Sequence, residues 1–153
     1  MPFGPTFAIT GEASEAVSAA ETVVQLRGAT TVRAQILGYK VSFDGTSAAA
    51  TPIRVRVLRQ TTDGTATAAT EVNVSNPDGS APACAGFHSF TAEPTAGGVL
   101  DDFFVHPQGL PYSEFYPEEL RPVLGMAATS RIGIEVTPGA AVNCAVTLYW
   151  MEC

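Results

Sequence analysis

The sequence has few charged residues and very little positive charge. Asp, Glu, Lys and Arg make up 15% of its 153 residues, against roughly 25% in an average soluble protein. Fifteen residues are acidic and eight are basic, with a single lysine, so the net charge is −7. Nucleic acids and anionic membranes attract positively charged surfaces, so we expect neither of them as a partner.

The sequence also lacks a long apolar run and a cysteine framework. No run reaches the roughly 18 residues of a membrane-spanning helix, and the first residues have no secretion signal, so we expect a cytoplasmic site of synthesis. Cys84, Cys144 and Cys153 match neither a CxxC nor a zinc pattern, which predicts three thiols. Cys144 falls in an alternating apolar set and is expected to be buried, although a bridge between Cys84 and Cys144 is an open alternative.

No catalytic or metal-binding motif is recognisable. His88 and His106 stand in no HxH, HExxH or Cys/His pattern, and neither a nucleophile elbow nor a glycine-rich phosphate loop occurs. Asp101–Asp102 and Glu118–Glu119 are the obvious carboxylate pairs, but adjacent residues of an extended segment point in opposite directions, so neither is expected to be an acid/base pair. We therefore expect no enzymatic activity, no cofactor and no metal.

What the sequence does contain is a two-residue alternation of apolar and polar side chains, which is typical of β-strands. The segments that alternate in this way are 31–43, 52–59, 71–74, 86–92, 130–136 and 142–151. The last two are expected to form an antiparallel hairpin, and Asp-Gly pairs at 44–45 and 63–64 predict turns. The aromatic, proline-interrupted segment 103–116 is expected to be a long ordered loop with short extended pieces.

One predicted strand, 31–43, carries apolar side chains on both faces. The alternation places Leu37, Tyr39, Val41 and Phe43 on one face, and Val32, Ala34 and Ile36 on the other. Both faces of this strand are therefore expected to be partly covered.

The predicted fold is all-β: a single antiparallel β-sandwich or jelly-roll-like barrel of about seven to nine strands. Residues 22–153 are expected to form this domain, preceded by an extended N-terminal arm at 1–21. Within the arm, residues 12–21 are rich in Ala, Glu and Ser, and they fit either a short helix or a flexible segment.

Arginine on an outward face is a first candidate for partner contact. Arg54 and Arg56 share one face of the 52–59 strand, whereas Ile53, Val55 and Val57 point inward. Arginine is common at protein interfaces, and the segment 93–119 of a neighbouring subunit supplies six acidic residues and no basic one. The alternative is a solvated face.

Two apolar segments are further candidates. Five of the thirteen aromatic residues crowd into the predicted loop, where they either cap the open end of the sandwich or form a contact patch. They are Phe103, Phe104, Tyr112, Phe115 and Tyr116. The arm begins with a proline-stiffened apolar stretch that is expected to lie across a neighbour, through Pro2, Phe3 and Phe7.

The segments 37–45, 52–59, 106–109 and 148–152 resemble small virion proteins of tailed bacteriophages, over roughly residues 30–153. In size and character the chain is most similar to capsid decoration, or cement, proteins. This resemblance implies a β-rich structural protein that binds the outside of the phage head. It implies the major capsid protein as partner, self-association with a trimer favoured, and a place on the virion surface. A tail or head-completion protein and a carbohydrate-binding module are the alternatives.

Overall fold

The computed structural model describes residues 4–15, 19–44, 51–139 and 142–153. Within these ranges the protein is all-β, and two antiparallel sheets pack face to face as a sandwich, which confirms the predicted fold class. The described ranges contain no α-helix, and Glu118–Leu120 form a single 3₁₀ turn. Eight of their strands have seven residues or more, and four are shorter.

Sheet A joins strands from both ends of the chain. Its strands are β1 (Thr6–Glu15), β3 (Ala34–Phe43), β6 (Val72–Asn73), β9 (Tyr112–Phe115), β10 (Val123–Leu124) and β12 (Val142–Glu152). Their order is β10-β3-β12-β1-β6, with β9 pairing with β3 on the same side as β10.

Sheet B is formed by the remaining strands. They are β2 (Glu21–Arg27), β4 (Ile53–Gln60), β5 (Thr65–Ala68), β7 (Ala85–Ala92), β8 (Ala96–Val105) and β11 (Arg131–Thr137). Their order is β5-β7-β2-β11-β4-β8. The predicted turn at 63–64 lies between β4 and β5, where Gly64 has a φ of 65° that favours glycine. The predicted turn at 44–45 falls partly outside the described residues.

The core lies between the sheets and follows the alternation of the long strands. Ile53, Val55 and Val57 of β4 are buried, as predicted. Trp150, Tyr39 and Phe7 are the largest side chains with no exposed surface, and Cys144 is also buried on the inner side of β12. None of the three cysteines forms a disulfide.

The predicted N-terminal arm differs from the structure over residues 6–15. These residues form β1, which pairs along its whole length with β12 and briefly with β6. The helical tendency of Ala and Glu is overridden because pairing buries Phe7 and Ile9 in the core. Residues 1–3, with Pro2 and Phe3, and residues 16–18 lie outside the described ranges.

A β-bulge in β3 changes which of its side chains face the core, compared with the prediction. The pairing with β12 shifts between Tyr149, opposite Gly38, and Trp150, opposite Ile36. One extra residue, Leu37, is thereby inserted into β3. Because a bulge reverses the alternation, Ile36 and Tyr39 both point into the core, although the sequence pattern placed them on opposite faces.

The predicted hairpin of the last two long strands is wrong. β11 lies in sheet B between β2 and β4, whereas β12 lies in sheet A between β1 and β3. Alternation identifies strands but not their partners. In opposite sheets, the inner side chains of the two strands both contribute to the core between the sheets, where Ile134 and Leu148 have no exposed surface.

The segment 103–116 contains short extended pieces, as predicted, but they make up half of it and pair into the two sheets. Its first residues complete β8, which is the edge strand next to β4, and β9 covers four further residues. The prolines Pro107 and Pro111 confine the irregular part to the short connection between these strands.

Candidate interaction surfaces

The described residues contain no group of three or more His, Cys, Asp or Glu side chains that could hold a metal ion. Each histidine has a local contact. His88 Nδ1 is 2.7 Å from the hydroxyl of Ser89, and His106 Nδ1 accepts a hydrogen bond of 3.2 Å from the backbone N–H of Gln108. The Ser89 hydroxyl is within hydrogen-bond distance of the His88 ring, but among the described residues no third side chain hydrogen-bonds to that ring to orient it as a base.

The carboxylates of Asp101 and Asp102 point in opposite directions, as their place on an extended strand predicts. Asp101 lies opposite Val57 on the inner side of β8, where its Oδ2 accepts a 2.6 Å hydrogen bond from the hydroxyl of Tyr39. Asp102 lies on the outer side and is bound by Arg54. The two carboxylates therefore do not form an acid/base pair.

The two arginines lie on the outer face of sheet B, and each binds a carboxylate of the same chain. Arg54 donates two hydrogen bonds to Asp102, of 2.9 Å and 2.5 Å. Arg56 donates from Nε to Glu135 Oε1 over 2.8 Å and contacts the same oxygen through its Nη2. Carboxylates for these arginines were expected on a neighbouring subunit. Asp102 of β8 and Glu135 supply them within the same chain.

The two pairs differ in burial. The side chains of Arg54 and Asp102 are 45% and 37% exposed, whereas those of Arg56 and Glu135 are 23% and 7% exposed. The hydrogen bond to Arg54 and its positive charge hold the pKa of Asp102 below its usual value. The Arg54–Asp102 pair is therefore a surface ion pair, whereas the Arg56–Glu135 pair is largely buried.

Three of the five clustered aromatic residues point inward. Phe103, Tyr112 and Tyr116 pack against Tyr39, with ring centroids 5.9 to 6.2 Å from it, and Phe103 and Tyr112 are 4.3 Å apart. They are partly buried against the core. These rings close one side of the sandwich, between the edge strands β8 and β9, as the capping alternative predicts.

Burial and the carboxylate of Asp101 favour the neutral, protonated form of the tyrosines in this cluster. Burial, followed by the hydrogen bond to Asp101, raises the pKa of Tyr39 far above its usual value. Burial and the charge of Asp101 raise the pKa of Tyr116 to about 12, and burial with the charge of Glu114 raises that of Tyr112. The three phenols therefore stay protonated at neutral pH.

The other two aromatic residues lie on opposite outer faces. Phe104 is 67% exposed beside Arg54 on sheet B, and Phe115 is 58% exposed on sheet A, where its ring is 5.6 Å from that of Tyr149. The five residues thus form no single patch. In the N-terminal segment, Phe7 has no exposed surface and packs on Trp150 with ring centroids 5.5 Å apart, so it belongs to the core.

Exposed apolar side chains are concentrated in one part of the chain. Of the ten large hydrophobic side chains that are exposed among the described residues, eight lie between residues 99 and 126. The most exposed are Leu110, at 89%, and Leu120, at 69%, which the sequence analysis missed. Leu110 stands between Gly109 and Pro111, and this turn sequence around an isolated leucine was the available signal.

Cys84 is a structural thiol. Burial raises its pKa to about 11, and Glu152 accepts hydrogen bonds from the backbone N–H groups of Ala83 and Cys84 over 2.9 and 2.8 Å. A thiol with a raised pKa is a poor nucleophile at neutral pH.

The described residues include no helix that is long and apolar enough to cross a membrane. No protein-family model matches the chain, and no curated protein matches it significantly.

Proposed function

We propose that this chain is a structural protein of a tailed-bacteriophage particle, made in the host cytoplasm, that binds the outside of the assembled capsid lattice and stabilises it. Its partner is the major capsid protein, and its contacts require neither a cofactor nor catalysis. Self-association is part of the proposal, and the resemblance to decoration proteins favours a trimer.

The observation that carries this proposal is the concentration of exposed apolar side chains between residues 99 and 126. The eight side chains are close in sequence but do not share one face, since Phe104 and Phe115 lie on opposite outer faces, so the proposal draws on the most exposed of them. Leu110 is the most exposed member, and it directly follows the turn that the hydrogen bond from Gly109 N–H to the carbonyl of His106 closes over 2.8 Å. It is suited to fill an apolar pocket of a partner.

Stabilisation follows from mass action. A protein that binds only the assembled lattice shifts the equilibrium towards assembly, by an amount that depends on its concentration relative to the dissociation constant. Repetition of the contact over a symmetric lattice multiplies the effect of weak individual contacts when the chain is itself oligomeric.

The proposal is tested by copy number and by adding the protein back to heads. Quantitative mass spectrometry of purified particles is expected to find about as many copies as of the major capsid protein, in line with a symmetric lattice. Purified chain is expected to bind undecorated heads and to raise their melting temperature. Absence of the chain from every particle contradicts the proposal.

A matched pair of variants locates the contact. Leu110→Ser is expected to weaken binding to heads, whereas Val74→Ser, which changes a side chain 54% exposed outside the 99–126 segment, is not. Equal binding by Leu110→Ser and the wild type would assign the contact elsewhere.

The two alternatives give different results in the same experiments. A tail or head-completion protein predicts a few copies per particle. A carbohydrate-binding module predicts glycan binding that is lost with Tyr112 or Tyr116. Both of these rings are partly buried against Tyr39, which disfavours them as exposed platforms for sugar stacking.

A further inference from the structure

Three aspartates of the chain are followed by glycine, at 44–45, 63–64 and 78–79. Such a pair is chemically labile, because the backbone nitrogen of the glycine attacks the carboxyl group of the aspartate, and glycine has no Cβ to obstruct the attack. Whether a pair reacts depends on its surroundings in the fold. The pair at 44–45 falls partly outside the described residues, whereas the pairs at 63–64 and 78–79 are both described.

The carboxylate of Asp63 is held by two arginines. Its Oδ1 atom accepts a hydrogen bond from Arg131 and lies 3.4 Å from Nε of Arg27. Both contacts stabilise the ionised carboxylate, and the hydrogen bond from Arg131 lowers its pKa. The attack requires the protonated carboxyl group, because an ionised carboxylate repels the nucleophile and has no good leaving group. The two arginines therefore protect Asp63.

The glycine beside Asp63 is also held in place. Gly64 has a φ of 65°, and a Cβ there would lie 2.4 Å from the carbonyl oxygen of Ala92 and 2.9 Å from the backbone nitrogen of Pro94. Rotation of the main chain at this pair is opposed by its contact with these two residues. The backbone nitrogen of Gly64 is therefore less free to approach the carboxyl group.

The pair at 78–79 lies in an exposed turn between β6 and β7. All of the residues from 74 to 81 are exposed. The N–H of Gly79 donates a 3.0 Å hydrogen bond to the carbonyl of Asn76, which closes the turn. Among the described residues, the carboxylate of Asp78 has neither an ion-pair nor a hydrogen-bond partner. Asp78 thus lacks the contacts that protect Asp63.

Only local contacts hold this turn. The N–H of Asp78 donates a 3.1 Å hydrogen bond to Oδ1 of Asn76, and the N–H of Asn76 donates one of 2.9 Å to Oδ1 of Asn73. Within the described ranges, every hydrogen bond of residues 76–79 has its partner within residues 73–79. The turn therefore opens without disturbing either sheet, and opening frees the nitrogen of Gly79 for attack.

We propose that Asp78 is a site of spontaneous isoaspartate formation in the folded protein, whereas Asp63 is protected. This proposal does not depend on the proposed function.

The reaction requires only water. The backbone nitrogen of Gly79 forms a bond to Cγ of Asp78, the bond from Cγ to its hydroxyl breaks, and the hydroxyl leaves with the amide proton as water. Water then adds to either carbonyl carbon of the resulting succinimide ring. Addition at Cγ restores aspartate. Addition at the backbone carbonyl breaks its bond to the nitrogen, so that the main chain runs through the side chain and gains a methylene group within the turn.

Ageing of the full chain at neutral pH, in the folded state and in urea, tests the proposal. A Glu-specific protease cleaves after Glu71 and places Asp63 and Asp78 in different peptides, in which isoaspartyl methyltransferase labelling measures isoaspartate. In the folded protein, isoaspartate is expected to accumulate at least about tenfold faster at Asp78 than at Asp63. In urea the two rates are expected to be similar, since both aspartates precede glycine.

Two variants identify the cause of the difference. Asp78→Glu is expected to abolish labelling of its peptide, because the longer side chain closes a larger ring much more slowly. Arg131→Ala is expected to raise the rate at Asp63 and to leave the rate at Asp78 unchanged, and near-ultraviolet circular dichroism checks that this variant retains its tertiary packing.

The wild type alone is sufficient to overturn the proposal. Equal rates at Asp63 and Asp78 in the folded protein would show that the arginines protect nothing. Isoaspartate at Asp78 in urea but not in the folded chain would show that the turn itself prevents the attack. Neither result bears on the copy number in particles, which tests the proposed function separately.

Discussion

The outer faces of the two sheets differ in the charged side chains that they carry. All four ion pairs among the described residues involve an arginine of sheet B, and all four carboxylate contacts are made within the chain. On the outer face of sheet A, the row that the pairing register aligns as Phe115, Gly38, Tyr149, Ala8 and Val72 contains no charged side chain. One face therefore satisfies its charged groups internally, whereas this row of the other face exposes apolar side chains.

Sheet B also contains a group of buried polar side chains that hydrogen-bond to one another. Gln25 donates a 2.7 Å hydrogen bond from Nε2 to Gln60 Oε1, and Gln60 donates a 2.9 Å bond to the hydroxyl of Thr22. All three residues are buried. Gly133 makes this possible, because a Cβ there would lie 2.4 Å from Gln60 Oε1. Such a network is stable only while every member has a partner.

The largest expected effect comes from breaking the covered ion pair of sheet B. Arg56→Ala leaves the carboxylate of Glu135, 7% exposed, without its cation, and is expected to lower the free energy of unfolding by about 3 kcal/mol. Urea unfolding measures this change. The control is Arg54→Ala, which removes an exposed pair and is expected to have a much smaller effect. Equal losses in the two variants would show that burial does not separate the pairs.

A smaller effect is expected at the glycine beneath the polar network. Gly133→Ala forces Gln60 to move, and is expected to cost about 1–3 kcal/mol of unfolding free energy. Gly98→Ala on β8 is the matched control, because no atom lies within 4 Å of a Cβ at that position. Thermal unfolding of both variants compares them, and a stable Gly133→Ala protein would mean that sheet B tolerates a rearranged network.

The smallest expected effect concerns how the free energy of unfolding changes at acidic pH through Asp63, which binds arginines of sheet B. The hydrogen bond from Arg131, followed by the charge of Arg27, holds the pKa of Asp63 below its usual value. A lowered folded-state pKa contributes stability above the ordinary carboxyl pKa, and this contribution is lost as pH falls through the folded value. Asp63→Asn is therefore expected to be less stable than the wild type at neutral pH, with a difference that shrinks on acidification.

Urea unfolding at a series of pH values measures that difference. Because Asp63 is about half exposed, added salt is expected to reduce it. A difference that is constant from neutral pH to strongly acidic pH would assign the effect to packing rather than to charge.

The alternation predicts five of the eight long strands, β3, β4, β7, β11 and β12, and it misses β1, β2 and β8. From Ile53 to Val57, β4 follows the pattern residue by residue, with Ile53 inward and Arg56 outward. The opposed directions of Asp101 and Asp102 follow from the same geometry. These features depend only on the alternation of neighbouring side chains.

Features that depend on distant residues could not be predicted in this way. The bulge at Leu37 and the separation of β11 from β12 result from the fit between strands that are far apart in the sequence. On the outer face of sheet A, the pairing register likewise aligns Val72, Ala8, Tyr149 and Phe115 in one row, although they come from four separate strands. No pattern along a single segment reveals such a row.

The pairing of β1 with β12 has a consequence for how the protein is made. The register joins Thr6 to Met151 and Glu15 to Val142, so the first strand of the chain acquires its longest partner only when the last strand has been synthesised. Such non-local contacts slow folding, because a long loop must close before the pairing rewards it. Sheet A is therefore expected to form after translation of this region is complete, and a nascent chain that lacks β12 leaves Phe7 and Ile9 exposed to chaperones or to aggregation.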